Sequence, residues 1–382
     1  MPITNRPSRA LNQWLLGATT SLALAMGLSA QAAPRVATDI TPVHSLVSQV
    51  MDGVGEPALV IQRGASPHSY ALRPSEAAAL EDAEIVFWIG PALTPWLANG
   101  LDNLAGDARR VGLLAASVTD QRMFRDNGHD HADADDHDAH DHGDHDAHDH
   151  GDHEHEAHDA QHHDGHGDAH ADDGDHHDHG DHDHEAHDAH DHDDHGDAHA
   201  RDADHHDHAH DGVDPHAWLD PQNARAWLGL IAETLAEADP ANAAVYQQNA
   251  RDARARLADL SAAIDAQLAP VRDTPYIVFH DAYQYFEARF DLNHVGAIAL
   301  SDASDPSPAR IARVRDAVTA AGARCVFAEP QFNPGLVASV ADGTEADTGV
   351  LDPLGSDLAV GASFYPALLR DLADRMVDCL GN

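Results

Sequence analysis

Histidine is the residue through which this chain can do most chemistry. There are 34 histidines, and five stand apart from the rest: His44, His68, His216, His280 and His294. His68 lies in "SPHSYALRPS", His216 in "DPHAWLDP" and His280 in "VFHDAYQYFE", while Asp352 lies in "LDPLG". Each of these four falls at an expected strand end or in a loop, where side chains from distant stretches can converge. Three neutral imidazoles and one carboxylate make a closed tetrahedral shell that suits Zn(II). Nitrogen-rich ligation disfavours magnesium, calcium and manganese, whereas copper(II) or nickel(II) compete by intrinsic affinity. Three imidazoles with an open position would instead activate a zinc-bound water, the chemistry of a hydrolase or hydratase. The chain has no H-E-x-x-H, and no zinc-plus-general-base motif is visible.

The other 29 histidines crowd into residues 129–210, beside 30 acidic residues and one basic residue, Arg201. This tract contains no Val, Ile, Leu, Phe, Trp or Tyr, so it cannot bury enough apolar surface to offset the entropy of ordering. Disorder is the expectation. Its short words ("DHDAHDHGDHDAHDHGDH") are low-complexity slippage rather than solenoid repeats. One reading is a solvated linker. The other rests on the alternation of imidazole with carboxylate, which offers many weak, exchanging metal sites. Metal uptake there should fail as pH falls through roughly 6–7. The formal net charge of −44 excludes a general nucleic-acid binder and argues against docking on anionic lipid.

Residues 1–32 read as a signal peptide: Arg6 and Arg9, an apolar stretch over 14–28, then Ala30-Gln31-Ala32. The apolar stretch is too short and interrupted for a spanning helix. An exported, soluble, periplasmic protein without membrane insertion is expected. Cys325 and Cys379 are the only cysteines. In an oxidising compartment two cysteines most simply pair, with buried free thiols or soft metal ligands as the alternatives.

The elements that must position these groups alternate between strand and helix. Residues 36–39, 56–61, 84–89 and 110–114 read as strands; 75–82 and Pro95–Leu104 read as helices. Residues 240–270 read as one long helix, bounded by Pro240 and Pro270, with Ala244, Tyr246, Ala250, Ala253, Leu257, Leu260, Ile264 and Leu268 near helical spacing. Beyond it 276–279, 324–328 and 349–351 read as strands, and 282–290, Pro308–Ala321 and Phe364–Leu380 as helices. The expected fold is α/β: two lobes of parallel sheet flanked by helices, over 34–239 and 271–382, joined by one long linking helix. Ligands in such folds sit outside the carboxyl ends of strands, here in a cleft between the lobes.

These motifs resemble the zinc-specific solute-binding proteins of ABC transporters, the ZnuA type, within the metal-binding cluster that also includes manganese receptors. The resemblance runs from "TDITPVHSLVSQVMDG" through "RPSEAAALEDAEIVFWIGP", "DPHAWLDP", "VFHDAYQYFE" and "CVFAEPQF" to "LDPLG" and Cys379, with an acidic His-rich insertion before the second histidine. It implies that His68, His216 and His280 are metal ligands, that Asp352 is the fourth, and that Zn(II) is the transported ligand rather than a cofactor. Manganese receptors of this cluster carry glutamate at the third ligand position, where this chain has His280. Some zinc members carry glutamate just before the first ligand; Pro67 stands there, which leaves Asp352 or a water. The resemblance also supports a Cys325–Cys379 disulfide. It implies a monomeric, non-enzymatic receptor whose partners are an ABC permease with its ATPase, and periplasmic zinc chaperones. A receptor for manganese or another divalent metal, and a zinc buffer without a transporter, are the remaining alternatives. His44 is expected at the start of the first helix after strand 36–39, in a structural role or supporting a ligand, His294 to lie on the surface, and Glu329 to be either a buried structural carboxylate or a partner to a ligand histidine.

Overall fold

Proline and short capping side chains set where the helices begin. Pro74, Pro95 and Pro308 open helices that lose no hydrogen bond to a missing N–H, because first-turn amides have no intrahelical partner. Asp220, Ser307 and Asn333, each just before a helix that opens on proline, accept first-turn backbone N–H groups. The computed structural model describes residues 32–125, 212–299 and 306–381. The expected signal peptide, apart from Ala32, and the 129–210 tract lie outside the described residues.

Strands β1 (Val36–Thr38), β2 (Ala58–Leu59), β3 (Ile85–Trp88) and β4 (Arg109–Gly112) form one parallel sheet in the order β2-β1-β3-β4. Helices α1 (Thr41–Val50), α2 (Pro74–Glu81) and α3 (Pro95–Leu104) connect them, and α4 (Pro221–Ala238) follows. The second sheet repeats the pattern with β5 (Tyr276–His280), β6 (His294–Ala299), β7 (Cys325–Ala328) and β8 (Asp347–Val350), in the order β6-β5-β7-β8. Helices α6 (Gln284–Phe290), α7 (Pro308–Ala321), α8 (Pro334–Ala341) and α9 (Phe364–Leu380) accompany it. Among the described residues the fold is thus two parallel four-stranded sheets flanked by helices, as the alternation predicts. Helices α4 and α8 and strand β6 are additions to the elements read from sequence.

The linking helix is α5 (Ala243–Leu268), 26 residues or about 39 Å. It starts later than Pro240, and Pro270 falls in a 3-10 turn at Ala269–Val271. Its buried residues are Tyr246, Ala250, Ala253, Leu257, Leu260, Ile264 and Leu268, one face at steps of three and four. That face packs on α4, α1 and α9, so the rod is held to elements that accompany both sheets.

Strand β5 is covered on both sides, as parallel strands are. Tyr276 and Val278 join the main core, while Ile277 and Phe279 join a second core with Ile298, Val326 and Val340. His280 continues the Tyr276–Val278 face by the period of two. The disulfide between Cys325 and Cys379 is formed and ties β7 to α9. In the first sheet the buried Asp39 plays a comparable joining role: Oδ1 accepts Ile40 N–H and Oδ2 accepts Ile89 N–H, each at 2.7 Å, which holds the ends of β1 and β3 together. Burial pushes its carboxyl up to about 7 against the opposing pull of these two amides.

Candidate metal centre

In each sheet the chain reverses direction of strand order at its second gap, between β1 and β3 and between β5 and β7. Crevices open at such points, outside the carboxyl ends of the strands. His280 is the last residue of β5, and Glu329 follows the last residue of β7. Asp352 lies just past β8, His68 in the loop between β2 and α2, and His216 at the entrance to the 3-10 turn Ala217–Leu219.

Three of the four residues expected as ligands come together. One nitrogen each from His68, His216 and His280 lies within 4.8 Å of the others. His216 and His280 are buried, with their Nε2 atoms 3.4 Å apart; His68 is half-buried. The rings of His68 and His216 have centroids 5.6 Å apart. They line a cavity of about 20 Å³, a volume that suits an ion or a water. Asp352 is buried but does not belong to this group of donor atoms. Its Oδ1 accepts from Leu354 N–H and Gln331 Nε2, and its Oδ2 from the N–H and hydroxyl of Ser356.

Carboxylates orient two of the imidazoles. Asp214 Oδ1 lies 2.7 Å from His216 Nδ1 and also accepts the His216 backbone N–H at 2.9 Å. Glu329 Oε1 lies 2.8 Å from His280 Nδ1. A carboxylate can only accept, so each Nδ1 carries the hydrogen, and in a neutral ring Nε2 is then the nitrogen that can bind a metal. Glu329 was one of two readings from sequence, and it takes the partner position. Asp214 was missed; the Asp-Pro-His spacing that lets one oxygen meet both groups of His216 was its only sequence signal. Tyr283 is wholly buried nearby, and burial with the charges of Glu329 and Asp352 pushes its phenol well above the ordinary value.

Contacts around the rings fix their elements. Trp96 Nε1 donates to Pro67 O at 2.8 Å, which anchors the His68 loop to α3. Trp218 Nε1 donates to Pro353 O at 2.9 Å, and Tyr365 on α9 donates to Trp218 O at 2.6 Å. The short segment after His216 is thereby fastened to the segment after Asp352. Arg289 on α6 pairs in two-pronged fashion with the buried Asp220 at the start of α4.

A second group, Asp281, Glu287 and His294, also has close donor atoms, but a cation of the chain already serves it. Arg125 pairs with Asp281 and Glu287, and its Nη1 lies 2.7 Å from His294 Nδ1. Burial opposes the guanidinium charge, yet Glu287 and Asp281 outweigh it and hold that group above its ordinary value. His294 is therefore half-buried and engaged rather than a free surface residue. His44 is part-buried, with Nε2 3.1 Å from Pro57 O; burial lowers its imidazole, which fits a structural role.

The residues flanking the His-rich tract are clamped together. Met123 pairs antiparallel with Val213, Phe124 N–H donates to Gly212 O, and Asp214 N–H donates to Arg122 O. Tyr285 adds a cross-brace: its hydroxyl accepts Arg122 N–H at 2.8 Å and donates to Asp214 O at 2.9 Å.

Comparison with known proteins follows the same lines. The family model described as "Zinc-uptake complex component A periplasmic" matches residues 36–379. The "High-affinity zinc uptake system protein ZnuA" of Brucella suis biovar 1 (strain 1330) is 44% identical over 347 residues, 91% of this chain and 92% of its own length. The protein of that name from Paracoccus denitrificans (strain Pd 1222) is 42% identical over 365 residues, 94% of this chain and 97% of its own. Among solved structures, "Crystal structure of ZnuA" superposes with a TM-score of 0.62 at 19% identity, covering 91% of this chain and 99% of that one. FpvC of Pseudomonas aeruginosa in complex with Mn2+ superposes with a TM-score of 0.63 at 17% identity, covering 92% and 99%. These two structures speak to the fold alone. With a family match spanning nearly all the described chain and relatives above 40% identity, this protein belongs to the periplasmic zinc-uptake component A family.

Proposed function

We propose that this chain captures Zn(II) in the periplasm with His68, His216 and His280, with Asp352 supplying the balancing negative charge, and delivers the ion to an ABC permease and its ATPase. Zinc is cargo, and the protein is a receptor rather than an enzyme, as its family is. The observation that carries this reading is the meeting of three imidazoles from separate stretches of chain, two of them with Nδ1 on a buried carboxylate. Imidazoles held through Nδ1 present Nε2 as the ligand atom, and nitrogen ligation favours zinc over the oxygen-seeking divalent ions. Among the described residues no helix is long and apolar enough to cross a membrane. The protein acts as a monomer, and α5, packed along its length, limits how far the lobes move when the ion leaves.

The His/Asp tract gathers zinc in weak sites and passes it to the three-histidine site. Deletion of 129–210 is expected to leave one tight zinc per molecule in titration calorimetry. Replacement of His280 by alanine in that deleted protein is expected to abolish the tight site. A tight site that disappears with the tract, or survives His280→Ala, would refute the assignment.

A further inference from the structure

Gln331 lies two residues beyond Glu329 and lines the same cavity as the three imidazoles, whereas Asp352 does not line it. The Gln331 Nε2 donates to Asp352 Oδ1 at 3.1 Å. That carboxylate also receives Leu354 N–H at 3.0 Å and the N–H and hydroxyl of Ser356 at 2.6 and 2.5 Å. Four donors fill the acceptor capacity of a carboxylate, so a direct bond to a metal requires one of them to leave. The amide nitrogen of Gln331 is committed to Asp352, and its Oε1 must face elsewhere. This oxygen is buried and meets no hydrogen-bond donor among the described residues. Leaving a buried carbonyl oxygen unmatched is unfavourable, so the site calls for a donor from the ligand side.

A water on zinc is such a donor, because the metal draws electron density from its O–H bonds. We propose that Gln331 is a positioning residue: its Oε1 accepts a hydrogen bond from a water in the fourth position of the bound zinc, and Asp352 acts on the ion through Gln331 rather than by bonding it. This rests on the reading that the three imidazoles hold the ion. It also bears on delivery. A neutral, single-toothed water leaves a metal more easily than a carboxylate does, so the shell is closed enough to capture zinc and open enough to give it up.

The test uses the full chain. Crystals of the zinc-loaded protein should show a non-protein oxygen on the metal, within hydrogen-bonding distance of Gln331 Oε1. In competition with a tight chelator, Gln331→Met should weaken the tight site by roughly tenfold or more, the range for partners of metal-bound groups. Gln331→Glu, which keeps an acceptor oxygen, should retain more of the affinity than Gln331→Met. Circular dichroism would confirm that both variants fold. An Asp352 oxygen bonded to zinc, an unchanged affinity in Gln331→Met, or equal losses in the two variants would overturn the proposal. His216→Ala and His280→Ala run alongside: should they bind zinc as the parent does, the three-histidine reading fails first and this one with it.

Discussion

His216 Nε2 and His280 Nε2 face each other at 3.4 Å, although 64 residues separate them and each ring is held from behind by its own carboxylate. A cation between two such nitrogens would bind both of them. The carboxylates that set this geometry should therefore govern zinc affinity without touching the ion. Asp214→Asn and Glu329→Gln are each expected to weaken the tight site by roughly ten- to a hundredfold, with the fold retained. Competition titration beside circular dichroism would read this, and affinity equal to the parent would remove the carboxylates from the site.

The ion pair between Arg289 and Asp220 joins α6 to the start of α4, and the carboxylate is almost wholly buried. Arg289→Met leaves that charge without its partner. The expected loss is about 3 kcal/mol, measured by urea unfolding of the metal-free protein. A loss below about 1 kcal/mol would place the pair among ordinary surface contacts.

The Cys325–Cys379 bond closes a long loop between β7 and α9. Replacing both cysteines with alanine should cost about 4 kcal/mol through the freedom regained by the unfolded chain. Since β7 also leads to Glu329, the reduced protein is expected to bind zinc more weakly at a given temperature near its unfolding transition. Calorimetric scans of oxidised and reduced protein would show both effects.

Asp39 should leave its mark on the pH dependence of stability. Its folded value of about 7 lies above the ordinary 3.8, so the folded state holds a proton that the unfolded chain releases. The associated stability is complete below about 4 and is lost as pH rises toward and through 7. Asp39→Asn, which cannot ionise, should flatten this part of the profile in denaturant unfolding between pH 4 and 8. An equally steep decline in the variant would assign the slope to other groups.

What the sequence makes legible follows from how local each signal is. The spacing from Tyr246 to Leu268 announces α5, because one helical face carries the whole pattern. The three histidines that meet are legible from their motifs and from their places beside strand ends. Strand β6 (HVGAIA) is harder to see, since its glycine and alanines lack the β-branched bulk that marks strands. Helix α8 is short and contains glycine and valine, both weak helix formers. Helix α4 does show Ala224, Trp227, Leu228, Ile231 and Leu235 at helical spacing, a periodicity as local as that of α5. The roles of Gln331 and His294 are another matter. Gln331 is defined by Asp352, 21 residues later, and His294 by Arg125, 169 residues earlier. Pairings of that kind are set by tertiary packing and leave no periodic trace.

The Met123–Val213 bridge and the Tyr285 cross-brace bring the two flanks of the acidic insert to a single point. Everything between those flanks can be lengthened or shortened by whole words without moving either anchor. Replication errors that add or drop copies of such words would alter how many imidazoles and carboxylates the insert contains, yet leave His216 seated as before. The length of the insert and the geometry at His216 are in this way free to evolve separately.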